Sequence, residues 1–117
     1  MQFQDIYKNE SAPYETVLRH FNSNQKLLHT FVLKFPNDAV YPSLLNDMQE
    51  KDYDAALNSA HSLKGICANL GFSRLSDAAA VMVRFFRAKQ IEDAVRQFEN
   101  VTREYVNIVN LIQQIEN

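Results

Sequence analysis

The residues best suited to chemistry in this sequence lie in the segment 60–65, which reads Ala-His-Ser-Leu-Lys-Gly. The neutral imidazole of a histidine such as His61 is a nucleophile near pH 7. Lys64 is a neighbour of His61 if the segment is helical, and its charge suits a negative group on or near the ring. Gly65 follows one helical turn after His61 and leaves bare backbone beside it. Together these residues predict a histidine that another molecule can approach closely.

A helix over residues 52–70 is predicted to carry this segment, because Asp52 is a good N-cap and Gly71 a good C-terminal stop. At about 100° per residue, His61 lies about 130° from the centre of the apolar stripe, on the polar side, and Gly65 shares that side. A glycine inside a helix costs about 1 kcal/mol relative to alanine, so Gly65 calls for a functional reason. The stripe itself is predicted to face the core: Tyr53, Ala56, Ala60, Leu63, Cys67 and Leu70.

The apolar spacing predicts helices along almost the whole chain. A short helix spans about 13–20, and a second, interrupted at Pro36, runs from about 24 to 50. A fourth helix starts after Ser73, and the last spans about 91–115. Long helices with short links pack as an antiparallel up-down four-helix bundle, here all-α with an additional short N-terminal helix and one domain over residues 1–117. The predicted core includes Leu27, Leu28, Phe31, Val32, Phe35, Leu44, Leu45, Met48, Leu75, Ala79, Met82, Phe86, Phe98, Tyr105, Ile112 and the other Phe and Tyr residues.

Composition excludes several other classes. The 117 residues are 46% apolar, and 2 Gly and 3 Pro are too few for the tight turns of an all-β fold. No apolar run approaches the roughly 18 residues of a membrane span, and the first ten residues lack the apolar stretch of a signal peptide. One cysteine, Cys67, argues against disulfides and multi-cysteine zinc sites, so we expect a cytoplasmic protein. A net charge of -2 gives no general case for binding nucleic acid.

The motif of His61, Leu63, Lys64 and Gly65, followed by Leu70-Gly71, resembles that of histidine-containing phosphotransfer (HPt) domains in two-component phosphorelays. Their usual pattern is His-x-Leu-Lys-Gly with a later Leu-Gly, and the helix order and length are similar as well. The resemblance implies that His61 accepts a phosphoryl group from a receiver-domain aspartyl phosphate and passes it to another receiver.

The same resemblance implies further roles and partners. Lys64 would neutralise the phosphoryl charge, and Gly65 would leave room for the receiver. The partners would be receiver domains of response regulators or of a hybrid sensor kinase, and the Mg²⁺ of the reaction would belong to the receiver. We expect this chain to be a monomeric carrier without a cofactor or metal of its own, and neither an enzyme nor a protein that binds membranes or nucleic acid.

The fourth helix contains the densest basic cluster, formed by Arg84, Arg87 and Lys89. On a helical wheel Arg87 lies beside Val83 on one flank, and Arg84 points away from the core. Family members often have Gln or Glu at the position of Val83, where it hydrogen-bonds the histidine ring, and Val83 cannot make that bond. Some members have an arginine at the position of Arg87. We therefore expect Arg84 and Arg87 to contribute to partner binding.

Two alternatives remain open at this point. An HPt-like adaptor would bind a receiver without moving phosphate, and the departure at Val83 supports that interpretation. A helical DNA-binding module is less favoured, because the chain is acidic and has no basic recognition helix. His20 and His29 match no motif, and Cys67 is interpreted as a small buried apolar residue.

Overall fold

A computed structural model describes residues 1–116 of the chain. Within this range all regular structure is helical, which confirms the all-α prediction. No helix in the described range is long and apolar enough to cross a membrane. Two short 3-10 helices, Phe3–Tyr7 and Phe35–Asn37, precede α1 and follow α2. The α-helices are α1 (Tyr14–His20), α2 (Gln25–Lys34), α3 (Val40–Gln49), α4 (Tyr53–Leu70), α5 (Ser73–Arg87) and α6 (Ile91–Gln113).

The bundle consists of α3, α4, α5 and α6, joined in that order by short links. Short links make consecutive helices antiparallel, and each consecutive pair is tied by a side-chain hydrogen bond between the two helices. On the remaining side α3 meets α6, where the rings of Tyr41 and Tyr105 stack at a centroid distance of 3.8 Å. The bonds between consecutive helices run from Ser59 Oγ to the Asp47 carboxylate (2.6 Å), from Ser76 Oγ to the Lys64 carbonyl (2.9 Å) and from Gln97 Nε2 to the Ala78 carbonyl (3.0 Å).

Helix α2 packs on the bundle through a narrower face than its sequence predicts. Leu28 and Val32 are fully buried, and the 3-10 turn at Phe35 then separates α2 from α3, as the position of Pro36 indicates. The prediction that Leu27 and Phe31 also face the core was wrong, because their exposed fractions are 41% and 46%. Only one row of α2 side chains is covered, so the second row of the apolar stripe faces solvent.

The first 13 residues, for which the sequence predicts no helix before Pro13, pack onto the bundle. The ring of Phe3 stacks on the imidazole of His29 at 3.6 Å, and the Tyr14 hydroxyl lies 3.0 Å from Nε2 of the same histidine. Burial lowers the pKa of His29. The buried residues of the first 3-10 helix are Phe3, Ile6 and Tyr7.

Helix α4 begins and ends as predicted. The Asp52 carboxylate accepts a hydrogen bond from the backbone N–H of Ala55 at 3.2 Å. Gly71 follows the helix in the left-handed region at a φ of +79°, and the N–H of Phe72 donates back to the Cys67 carbonyl at 2.8 Å. This is the Schellman arrangement that favours glycine. The predicted stripe is buried, with Tyr53 half-buried, and burial raises the pKa of the Cys67 thiol.

Candidate functional site

His61 lies near the middle of α4, and its side chain is exposed to solvent as predicted. No side chain among residues 1–116 makes a hydrogen bond with its imidazole. Gly65, one turn later, is also exposed, and a Cβ atom placed on it would meet no other atom within 4 Å. The backbone beside His61 is therefore open, and a partner surface can come close to the imidazole.

Lys64 lies between His61 and helix α5. Its side chain is half-buried, and its main-chain carbonyl accepts the hydrogen bond from the Ser76 hydroxyl. The ammonium group makes no ion pair with any residue in the range 1–116. Its positive charge is thus free to attract an anionic group that reaches His61.

Two contacts define which part of α5 is level with His61. The hydroxyl of Ser76 meets α4 about one turn after His61, and the ring of Phe86 lies 5.9 Å from the ring of Tyr53 at the start of α4. Interpolation between these contacts places Ala79 level with His61. Ala79 is fully buried, so at this level α5 contributes a core residue and not a surface side chain beside the imidazole.

Arg84 and Arg87 are exposed in the last turn of α5, where positive charge is favoured by the helix dipole. The same register places them near the start of α4, about 10 Å along the helix axis from His61. Neither arginine has an ion-pair partner in the described part of the chain. They lie farther from His61 than Lys64 does, and their contact with a partner stays a prediction.

The flank position predicted for Val83 was wrong, because its exposed fraction is only 2%. Helix α5 is covered by α4 on one side and by α6 on the other, so its buried face is wider than the stripe suggested by the sequence. Val83 is therefore a core residue, and it has no group that could hydrogen-bond the imidazole of His61.

An apolar groove that the sequence did not predict borders this part of α4. It has a volume of about 370 Å³ and lies between α2 and α4. Ile66, which follows Gly65, is part of its wall, and the exposed Leu27 lies one turn before Phe31 on α2. The signal that could have revealed it is the excess width of the apolar stripe on α2. The groove is lined by Phe31, Lys34, Phe35, Asp38, Ile66, Asn69 and Leu70.

The arrangement favours a reaction with a large partner. The described residues contain no group of three or more His, Cys, Asp or Glu that could hold a metal ion. His61 stands on a convex helix surface rather than in an enclosed cavity, and small-molecule sites are usually concave. Fold and site together define a helical bundle that exposes a histidine next to a lysine with no ion-pair partner among residues 1–116.

Comparison with protein families agrees with this description of an exposed histidine on a helical bundle. The model of the Hpt domain family matches residues 22–117, and the chain belongs to this family. The resemblance found in the motif is thereby confirmed. Comparison with curated proteins and with solved structures gave no significant match. Hpt domains are phosphocarrier modules of phosphorelays that interact with receiver domains and have no catalytic activity of their own.

Proposed function

We propose that the chain is a phosphorelay intermediate in which His61 carries the phosphoryl group. A ring nitrogen of His61 attacks the phosphorus of an aspartyl phosphate on a receiver domain. The P–N bond forms while the bond from phosphorus to the aspartate oxygen breaks, and the carboxylate leaves with the electron pair. The reverse reaction passes the group to a second receiver. The observation that carries this proposal is the exposed imidazole beside the open backbone at Gly65.

Lys64 assists by attracting the phosphoryl oxygens. Phosphoryl transfer depends mainly on positioning and on neutralising charge in the transition state. The ammonium group of Lys64 is close to His61 in the helix and has no competing ion pair within residues 1–116. The resemblance assigns the Mg²⁺ of the reaction to the receiver, and this chain contributes its charge through Lys64.

The receiver is proposed to rest on α4 and on the surfaces beside it. Gly65 allows the closest approach of the two backbones. Leu27 and Phe31 provide apolar contact on the side of α2, and Arg84 and Arg87 provide positive charge on the side of α5. An apolar area bordered by charged side chains is typical of protein interfaces.

The test is incubation with each receiver domain of the source organism, phosphorylated in the presence of Mg²⁺, followed by intact-mass measurement. The wild-type chain should gain one acid-labile phosphoryl group, and His61→Gln should gain none while retaining its circular dichroism spectrum. His20→Gln is the matched control, because His20 is also an exposed helical histidine, and it should react like the wild type. Equal phosphorylation of His61→Gln and wild type would end the carrier proposal.

A second candidate is an adaptor that binds a receiver and leaves its phosphoryl group in place. The observation that favours it is the buried Val83, which offers the imidazole no hydrogen bond from α5. An adaptor would bind the receiver equally well in wild type and in His61→Gln, and His61 would stay unmodified at every time of incubation. Affinity and transfer measured with the same receiver distinguish the two functions.

A further inference from the structure

The N-terminal segment contacts the ends of both helices that form the site. The Tyr7 hydroxyl donates to the carbonyl of Leu70, the last residue of α4, at 2.8 Å. The Glu10 carboxylate accepts from the Ser73 hydroxyl at 3.1 Å and from the backbone N–H of Arg74 at 3.0 Å, in the first turn of α5. The segment therefore binds on both sides of the turn between α4 and α5.

Glu10 supplies the hydrogen-bond acceptor that the start of α5 lacks. The first N–H groups of a helix have no partner within the helix, and a short polar N-cap side chain usually accepts from them. The N-cap residue of α5 is Phe72, which makes no side-chain cap bond. A carboxylate is also favoured at this end of a helix by the helix dipole. Glu10 is thus a remote N-cap, and the position of the first turn of α5 depends on it.

Ser76 connects that first turn to the candidate site. Ser76 is buried, and its hydroxyl donates to the Lys64 carbonyl at 2.9 Å, about one turn from His61. Ser76 is only two residues after Arg74, so a displacement of the first turn of α5 also displaces this bond. The hydrogen bonds form a path from Glu10 through the start of α5 to the backbone of Lys64. Glu10 lies outside the residues 22–117 that the family model matches.

We propose that Glu10 and Ser76 are positioning residues for phosphoryl transfer at His61. Glu10 holds the first turn of α5, and Ser76 transmits that position to α4 at Lys64. Transfer is sensitive to small displacements of the groups around the reacting atoms, so loosening either bond lowers the rate. The inference rests on the function proposed above.

The test measures single-turnover transfer from a phosphorylated receiver, together with the affinity for that receiver. Glu10→Ala and Ser76→Ala should each slow transfer by about three- to tenfold and change Kd by less than about twofold. Because both residues act along one path, the double variant should be no slower than the slower single variant. Glu10→Gln should restore the wild-type rate, since its amide oxygen can accept the same two hydrogen bonds.

Gln97→Ala is the matched control for Ser76→Ala. Gln97 donates from Nε2 to the Ala78 carbonyl at 3.0 Å, which is the same kind of bond to α5 but from α6. Its loss should leave the transfer rate unchanged. Hydrogen exchange at the Arg74 amide reports the cap independently of transfer, and Glu10→Ala should speed that exchange while Glu10→Gln should not.

The outcomes separate this inference from the proposed function. If the Arg74 amide loses protection in Glu10→Ala and transfer continues at the wild-type rate, Glu10 does not position the site. The inference would also be overturned if the double variant transferred more slowly than either single variant, or if Gln97→Ala lost as much transfer rate as Ser76→Ala. If the wild-type chain accepts no phosphoryl group, the proposed function fails and the positioning role fails with it. Should Glu10→Ala not fold, Ser76→Ala and Glu10→Gln still decide the question.

Discussion

Replacing the two glycines by alanine is expected to change stability in opposite directions. Gly65 lies inside α4, and a Cβ atom there meets no other atom within 4 Å. Alanine at this position should raise the free energy of unfolding by about 1 kcal/mol, because it restricts the unfolded backbone and strains nothing in the folded helix. For a chain of this size, that gain corresponds to a Tm higher by about 4 °C.

Gly71→Ala should lower stability for two separate reasons. Its φ of +79° is a left-handed conformation that costs an L-residue about 1–2 kcal/mol. A Cβ atom would also lie 2.9 Å from Cε1 of Tyr7 and overlap a methyl group of Val17, both of which are buried. Overpacking of this kind costs about 1–3 kcal/mol. The expected loss is therefore about 2–5 kcal/mol.

Urea unfolding followed by circular dichroism measures both effects. The slope of the free energy of unfolding against urea concentration checks that unfolding remains two-state. Gly65→Ala should still accept the phosphoryl group, because one methyl group fills little of the open space. Gly65→Gln should fold as well as Gly65→Ala and bind the receiver more weakly. A loss of stability in Gly65→Ala, or a cost below about 1 kcal/mol in Gly71→Ala, would refute the reasoning from backbone geometry and space.

The remaining predictions concern charge, contact, burial and pH. Lys64→Ala should slow single-turnover transfer about tenfold and change receiver affinity far less, because charge neutralisation acts during the reaction; equal losses in both would make Lys64 a docking residue. Phe31→Ser should weaken receiver binding at least about fivefold. Leu33 is equally exposed on α2 but lies outside the groove, so Leu33→Ser should leave binding unchanged; equal effects would contradict a docking role of the groove. Val83→Gln should lower the free energy of unfolding by about 1–3 kcal/mol, since it places a longer side chain with a polar amide at a buried position. Unchanged stability would show that the amide reaches solvent. Burial lowers the pKa of His29, so the unfolded chain protonates its imidazole at a higher pH than the folded chain, and the free energy of unfolding decreases as the pH falls below about 6.5. His29→Gln should weaken that decrease in urea unfolding, and an unchanged pH profile would contradict this prediction.

The bounds and the rotation of the helix that carries the candidate site could be predicted because their signals are local. Asp52 and Gly71 define the ends of α4 through hydrogen bonds to residues a few positions away. The apolar stripe then defines the rotation of the helix, and the exposure of His61 and Gly65 follows from that rotation. Helix breaks at glycine and proline were predicted for the same reason, since the backbone preference of these residues does not depend on the rest of the fold.

The boundaries of the buried face of each helix could not be predicted from the same pattern. An apolar stripe shows which side chains gain from burial, but only the neighbouring helices decide how wide the covered face is. The face of α2 is narrower than its stripe, which exposes Leu27 and Phe31, and the face of α5 is wider, which buries Val83. The caps that Tyr7 and Glu10 provide join residues more than 60 positions apart, and no periodicity in the sequence reports such pairs.

The openness of the candidate site means that the proposed transfer must be completed by a partner. The imidazole of His61 is exposed to solvent and makes no hydrogen bond with a side chain among residues 1–116. A residue that reacted with small phosphate donors would gain from a concave site that orients them and excludes water. In the proposed transfer, orientation and exclusion of water have to come from the docked receiver. If His61 carries the phosphoryl group as proposed, the selectivity of transfer depends more on the surfaces beside His61 than on the imidazole itself. These surfaces include the open backbone at Gly65 and the apolar groove.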